Sequence, residues 1–249
     1  MNDKKCVVIT GCSSGIGRSL CKEFLAKGFV VVGVSRTKPD FDITKWIQAD
    51  ITKKDDLNLI FETISKSCDR IDVFINNAGV GIYEEWEKTD ISDLRALFDV
   101  NFFAPVELSR LAIPFLKKSS GTLINTSSVA GLLYVPVMGG YCASKFALNA
   151  FSDSLRVELK KHKIQVISLI VGRINTGFSS RAFGSLNPPE TPGAGSPDKL
   201  AEKVFKAYRK RKKSITFPWW YDFVVPFAKI FSCIYDAINI KVWKIGGGK

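Results

Sequence analysis

The sequence predicts an α/β class protein: one doubly wound domain on a parallel sheet of about seven strands, followed by a C-terminal amphipathic helical extension. Three observations predict it. Short β-branched runs alternate with helix-patterned stretches from residue 4 to about 217. The runs are continuously apolar, as strands covered on both faces are. Small and polar clusters follow several of them, at the strand ends where parallel sheets collect functional groups. At 249 residues, 46% hydrophobic and 12% aromatic, the chain can close one full core.

Cys6–Thr10 reads as the first strand and Ser19–Lys27, with Leu20, Phe24 and Leu25, as the first helix. Between them lies Thr10-Gly11-Cys12-Ser13-Ser14-Gly15-Ile16-Gly17. A strand, a glycine turn and a helix start in that order aim free backbone N–H groups at a phosphate. The spacing is G-x-x-x-G-x-G and not G-x-G-x-x-G, so an ordinary tight turn is the bland alternative. Phe29–Ser35, the second strand, ends at Arg36. An acid there would bond a ribose 2′-hydroxyl, whereas arginine suits a 2′-phosphate, which argues for NADP over NAD. Trp46–Asp50 is a third strand, Asp55–Ile64 a helix, and Ile71–Ile75 a fourth strand running into Asn76-Asn77-Ala78-Gly79, small enough for close backbone approach to a ligand.

Ile91–Lys118 reads as one long covered helix, with Asn101 among Val100, Phe102 and Phe103. A buried Asn must have its amide satisfied, either by backbone or by a water held for proton relay. Leu123–Ser128 is a buried strand ending in hydroxyls, Ile164–Val171 a sixth strand and Ser214–Phe217 the last. Residues 177–197 lack periodicity and hold Pro188, Pro189, Pro192, Pro197 and four glycines, which predicts a long mobile active-site lid. Ser196-Pro197-Asp198 then opens a helix as N-cap, N1 proline and first-turn acid.

The chemistry centres on Tyr141-Cys142-Ala143-Ser144-Lys145, which puts a phenol and an ammonium one helical turn apart. At ~4 Å and an effective dielectric of ~20 the cation would favour the phenolate by roughly 4 kcal/mol, or ~3 pKa units. Such a tyrosine trades protons near neutrality. Spacing alone proves little, since a chain of this composition holds roughly 0.6 such pairs by chance. Tyr208…Lys212 is a second instance, in the solvated run Arg209-Lys210-Arg211-Lys212-Lys213. Ser128, thirteen residues upstream of Tyr141, supplies the first pair with context.

The six cysteines form no C-x-x-C pair and His162 is the one imidazole, so neither a zinc site nor a disulfide framework is indicated and a reducing compartment is expected. No secretion signal is visible in the first residues. The formal charge is +12, and residues 199–249 hold 12 Lys/Arg against Glu202, Asp222 and Asp236, so +9 falls in the last fifth. That argues for a basic tail and against a nucleic-acid surface spread over the domain.

Taken together, Thr10-Gly-x-x-x-Gly-Ile-Gly17, Asn76-Asn-Ala-Gly79, Asn101, Ser128 and Tyr141-x-x-x-Lys145 resemble the classical short-chain dehydrogenase/reductase family, in order and at its spacing. The resemblance implies a Rossmann-type catalytic domain over 1–217 and an NADP(H)-dependent oxidoreductase that passes a hydride between nicotinamide and a carbonyl or secondary alcohol. It makes Tyr141 the general acid/base, has Ser128 bond the same substrate oxygen, gives Lys145 the phenol and the nicotinamide ribose, and has Asn101 keep a relay water. Gly11, Ser13, Ser14, Gly15, Ile16 and Gly17 would cradle the pyrophosphate, Arg36 would select NADP, and Asp50 with Ile51 would face the adenine. Asn77, Ala78 and Gly79 would line the adenosine ribose, while Gly172, Ile174 and Thr176 would meet the nicotinamide end. The family's Pro-Gly after the sixth strand is here Val171-Gly172, which leaves that loop without proline's fixed φ. Ser14 stands where many NADP-preferring relatives carry a second basic residue, so cofactor choice rests on Arg36. The alternatives are a 3-oxoacyl thioester reductase and a non-catalytic nucleotide-binding sensor or scaffold.

Residues 218–249 exceed what the catalytic domain needs. Phe223, Phe227, Ile230, Phe231, Ile234, Ile238 and Val242 recur at steps of three and four, predicting one apolar helical stripe. Charges interrupt it short of the ~20 residues a spanning helix requires. With Trp219, Trp220, Tyr221 and Trp243, and the basic run 209–213 just before them, the stripe suggests peripheral membrane contact through 209–244. Packing on the lid or on a second subunit is the alternative. The substrate expected is a lipophilic ketone, aldehyde, steroid or retinoid, the assembly a homodimer or homotetramer, and the location cytoplasmic or membrane-associated.

Overall fold

The computed structural model describes residues 4–189 and 193–245. Seven strands form one all-parallel sheet: β1 (Cys6–Thr10), β2 (Val30–Ser35), β3 (Lys45–Gln48), β4 (Val73–Asn76), β5 (Thr122–Ser128), β6 (Gln165–Val171) and β7 (Ser214–Phe217), in the order β3-β2-β1-β4-β5-β6-β7. The helices are α1 (Gly15–Ala26), α2 (Lys54–Ser67), α3 (Ile91–Phe98), α4 (Ala104–Ser119), α5 (Gly139–Glu158), α6 (Pro197–Arg209), α7 (Tyr221–Ile230) and α8 (Ser232–Trp243). Two cores lie on opposite faces of the sheet. One joins Val8, Val32, Phe74 and Leu123 to α2 and α4, the other Val7, Ile9, Val31 and Ile167 to α1 and α6. Side chains that alternate across each strand thus reach opposite cores, which is why the runs are apolar throughout.

The strand order reverses between β1 and β4, the place where open α/β sheets bind ligands. There Thr10 joins the two strand ends: its Oγ1 accepts from the N–H groups of Asn77 (3.0 Å) and Ala78 (3.1 Å), while Asn77 Nδ2 donates to Thr10 O (2.9 Å). A polar chain crosses the core behind it. Asn76 Nδ2 donates to Asn125 Oδ1 (2.8 Å) and Ser109 Oγ (3.0 Å), and Asn125 Nδ2 donates to Ser152 Oγ (2.8 Å). These bonds pin β4, β5, α4 and α5 in one register.

Four expectations need correction. The helix expected over 91–118 carries a π turn at Asp99–Phe103 between α3 and α4. Pro105 has no N–H to return to the carbonyl of Asn101 or of Val100, so the ladder shifts there. The lid is not free of partners: Phe183 N donates to Gly81 O and Tyr83 N to Phe183 O, both 2.9 Å, tying it to the loop after β4. Pro192, part of that expectation, lies outside the described residues. The single C-terminal stripe is two helices bent by 112°.

The fourth correction concerns charge. Segments 4–5, 27–28, 68–72, 117–121, 159–163 and 209–213 lead into β1, β2, β4, β5, β6 and β7, so the parallel sheet gathers them at one end. They hold fourteen Lys/Arg against Asp69 and Asp72, a balance of +12. The basic run is therefore one side of a cationic pole made jointly with the body. β7 carries the chain away from it, roughly 13 Å of strand, before the extension begins.

Cutting the buried polar chain tests its role: Asn125→Ala should lower stability by about 1–3 kcal/mol, seen as a lower urea midpoint with an unchanged slope.

Candidate active site

The site sits at the carboxyl ends of β1, β4, β5 and β6. In the β1–α1 turn, Gly11 and Gly15 adopt φ of +68° and +54°, and a Cβ on Gly17 would stand 2.0 Å from Gly11 O. Ser14 precedes α1 as N-cap without a side-chain cap bond, and the first turn holds no acid. Its amides are thus left to an anion, and a cofactor diphosphate fits them. Two residues from the lid side come over this turn. A Cβ on Gly15 would meet Thr176 at 3.2 Å, and Arg181 Nη1 donates to Ser14 Oγ at 2.7 Å.

Arg36 is exposed at the end of β2, and Gln48 Nε2 reaches its carbonyl at 3.3 Å. Asp50 follows β3. Burial raises its carboxyl, but the N–H and hydroxyl of Thr52, with Arg36 and Lys53 nearby, outweigh this and hold it below the usual range. Ile51 points into the core, so only its main chain is available to a ligand. Gly172 lies under the Tyr221 ring, and Ile174 bridges to Gly195. Gly79 faces Asn101 Oδ1 and Lys145 Nζ.

Asn101 is fully buried in the π turn. Its Nδ2 donates to Val80 O (2.8 Å) and Ser144 Oγ (3.2 Å), and its Oδ1 accepts from Val80 N (3.0 Å). Of the two uses open to it, the side chain serves the backbone.

Tyr141 and Lys145 lie on the inner face of α5, both buried, with Lys145 Nζ 5.7 Å from the Tyr141 ring centroid. The ammonium donates to Thr126 O at 3.0 Å. Ser128 ends β5, accepts from Ala130 N at 3.1 Å, and its hydroxyl lies close enough to the Tyr141 phenol to lower its pKa. The expectation of an acidified phenol is overturned. Burial pushes Tyr141 up, opposed by the Ser128 hydroxyl and reinforced by Tyr83 and Cys142, while burial alone pushes Lys145 down to about 8. The ammonium is aimed at a carbonyl, and burial, not attraction between the two groups, sets both shifts.

Apolar side chains wall this end. Ile82, Leu97, Met138, Phe178 and Phe183 pack with Tyr141, the Phe178 ring 5.9 Å from it. Pattern reasoning missed Tyr83, Phe178 and Arg181, which belong to loops whose spacing carries no signal. Only their return through the bridge between Ile82 and Phe183 brings them here.

Comparisons with known proteins agree with this geometry. The model of the short chain dehydrogenase family matches residues 5–184. The chain is 35% identical to a 3-ketodihydrosphingosine reductase of Bacteroides thetaiotaomicron over 70% of its own length and 65% of that protein. It is 34% identical to an NADPH-dependent 3-dehydrocapnine reductase of Ornithobacterium rhinotracheale over 73% of its length and 69% of that protein. It thus spans about two thirds of the length of these curated relatives. A short-chain dehydrogenase/reductase of Burkholderia phymatum solved with NAD superposes with TM-score 0.82 at 21% identity, covering 94% of this chain and 95% of that one. The chain belongs to the short-chain dehydrogenase/reductase family of oxidoreductases, with the seven-stranded parallel sheet of its solved members.

Proposed function

We propose that the protein is an NADP(H)-dependent reductase of a lipophilic ketone or aldehyde, in peripheral contact with a membrane. The observation that carries this reading is the convergence of Ser128, Tyr141 and Lys145 beside an uncapped helix N-terminus at the sheet's switch point. Bound nicotinamide supplies the hydride. The turn Gly11–Gly17 holds the diphosphate with its N–H groups, assisted by Arg181. Arg36 takes the 2′-phosphate, and Asp50 and the main chain of Ile51 border the adenine. Asn77, Ala78 and Gly79 border the adenosine ribose, and Gly172, Ile174 and Thr176 the nicotinamide.

Tyr141 Oη hands its proton to the carbonyl oxygen, and Ser128 Oγ orients that oxygen. The phenol is protonated at neutral pH, the state from which a proton donor must start, although burial makes it a weaker acid. Lys145 would hold the nicotinamide ribose, and its ammonium carries the proton that can restore the Tyr141 phenol. Asn101 fixes the Val80 backbone, and the shifted carbonyls of its π turn can hold the relay water. Support for a lipophilic substrate comes from the apolar wall around Tyr141. The two reductases named above, one of them NADPH-dependent, point the same way.

Tyr141→Phe should lower kcat by about 100- to 10,000-fold while NADPH still binds; a variant with wild-type kcat would remove the tyrosine from the mechanism. Lys145 is charged below about pH 8 and neutral above. NADPH affinity, measured by titration, should therefore weaken as pH rises through about 8, and this limb should vanish in Lys145→Met. Arg36→Ala should cost NADPH roughly 1.5–3 kcal/mol, about 10- to 150-fold, and leave NADH affinity unchanged. Arg181→Ala should weaken both cofactors alike, because the diphosphate is common to them. Equal binding of NADH and NADPH by the unaltered protein would overturn the cofactor assignment.

A further inference from the structure

Twelve of the twenty large apolar side chains exposed among the described residues lie between Trp219 and Ile245. The inner side of this extension is well specified. Val225 and Ala228 pack with Val129, Leu133 and Ile170, Tyr235 Oη donates to Tyr134 O at 2.9 Å, and Tyr134 Oη donates to Asp236 at 2.7 Å. Among the described residues the outer side has no protein against it: Phe223 and Ile230 are 70% and 72% exposed, Ile234 and Ile238 about half.

Three features select a bilayer as what covers it. Helices of 10 and 12 residues meeting at 112° are each too short to cross, so both can lie flat. Lys229, Lys241 and Lys244 are exposed on the same two helices and their end, against Asp222 and Asp236, the latter hydrogen-bonded to Tyr134. A second protein surface would strand these ammonium groups in apolar contact, whereas lipid phosphates meet them while their stems lie along acyl chains. Trp219, Trp220 and Trp243 are the side chains that settle at the headgroup boundary.

The extension also adjoins the catalytic cleft. The Trp243 ring stacks on Tyr83 at 6.5 Å, Tyr83 raises Tyr141, and Tyr221 covers Gly172. The cationic pole lies at the opposite end of the sheet.

We propose that α7 and α8 lie in the headgroup region of a bilayer and set the mouth of the catalytic cleft against it, so that a lipophilic carbonyl substrate enters from the membrane. This rests on the reading of the site as a reductase of such a substrate. Docking is through the apolar helices, and the basic run 209–213 faces away.

The experiment is co-sedimentation of the full chain with phosphatidylcholine vesicles, with and without phosphatidylglycerol. Two variants accompany it, Phe223→Ser/Ile230→Ser/Ile234→Ser and Lys210→Ser/Lys212→Ser/Lys213→Ser. The unaltered protein and the lysine variant should pellet with both vesicles. Burying one such side chain is worth about a factor of 10 in partitioning, so the apolar variant should partition on the order of 100-fold or more weakly, with unchanged NADPH affinity. Should that variant not fold, brominated acyl chains should still quench the indole emission of the unaltered protein. The proposal is overturned if the unaltered protein stays in the supernatant with both vesicles, or if only the lysine variant loses binding. It is equally overturned if a lipid-free dimer becomes a monomer in the apolar variant, which would make a second copy the cover. Failure to reduce any carbonyl would sink the reading of the site and leave the pelleting result standing, so the two failures are distinct.

Discussion

Parallelism of the seven strands is the constraint on which everything else depends. A parallel sheet must be covered on both faces, and it sends every strand's carboxyl end to one edge and every amino end to the other. The hydroxyls, amides and glycines that follow β1, β4, β5 and β6 are thereby brought together from positions up to 160 residues apart in the chain, without any motif joining them. The same geometry gathers lysines and arginines from six separate segments at the far edge. Chemistry and charge are segregated by topology.

At the carboxyl ends of the strands the decisive effect is desolvation. Tyr141 and Lys145 are neighbours on one helix face, which invites the inference that the cation ionises the phenol. Burial reverses this, since it raises the phenol and depresses the ammonium, each toward its neutral form. Thr126 O takes one N–H of Lys145, and the Ser128 hydroxyl lies against the Tyr141 phenol.

The site is also held by contacts behind it. Thr10 latches the loop after β4 to the glycine turn, and Pro105, by withholding one N–H, shifts the helix into the π turn that carries Asn101. Tyr221 fills the space over Gly172, where the loop after β6 lacks proline. The extension thus supports the cleft as well as bordering it.

By itself the sequence determined the local alphabet: the strand runs, the glycine turn, the capped start of α6 at Ser196 and the Tyr141–Lys145 spacing are all set by φ preferences, period and missing or present N–H groups acting over a few residues. Element ends were off by one to a few residues where burial, and not propensity, decides them, as at β4, which reads as Ile71–Ile75 and spans Val73–Asn76. Tertiary structure alone decided what long-range packing controls. It committed the amide of Asn101 to Val80, brought Arg181 and Phe178 over the site, and broke the apolar stripe at Phe231. It also parted the basic run from that stripe by the length of β7. Each of these depends on which surfaces meet in space and on the desolvation that meeting costs, and neither is written in the spacing of residues along the chain.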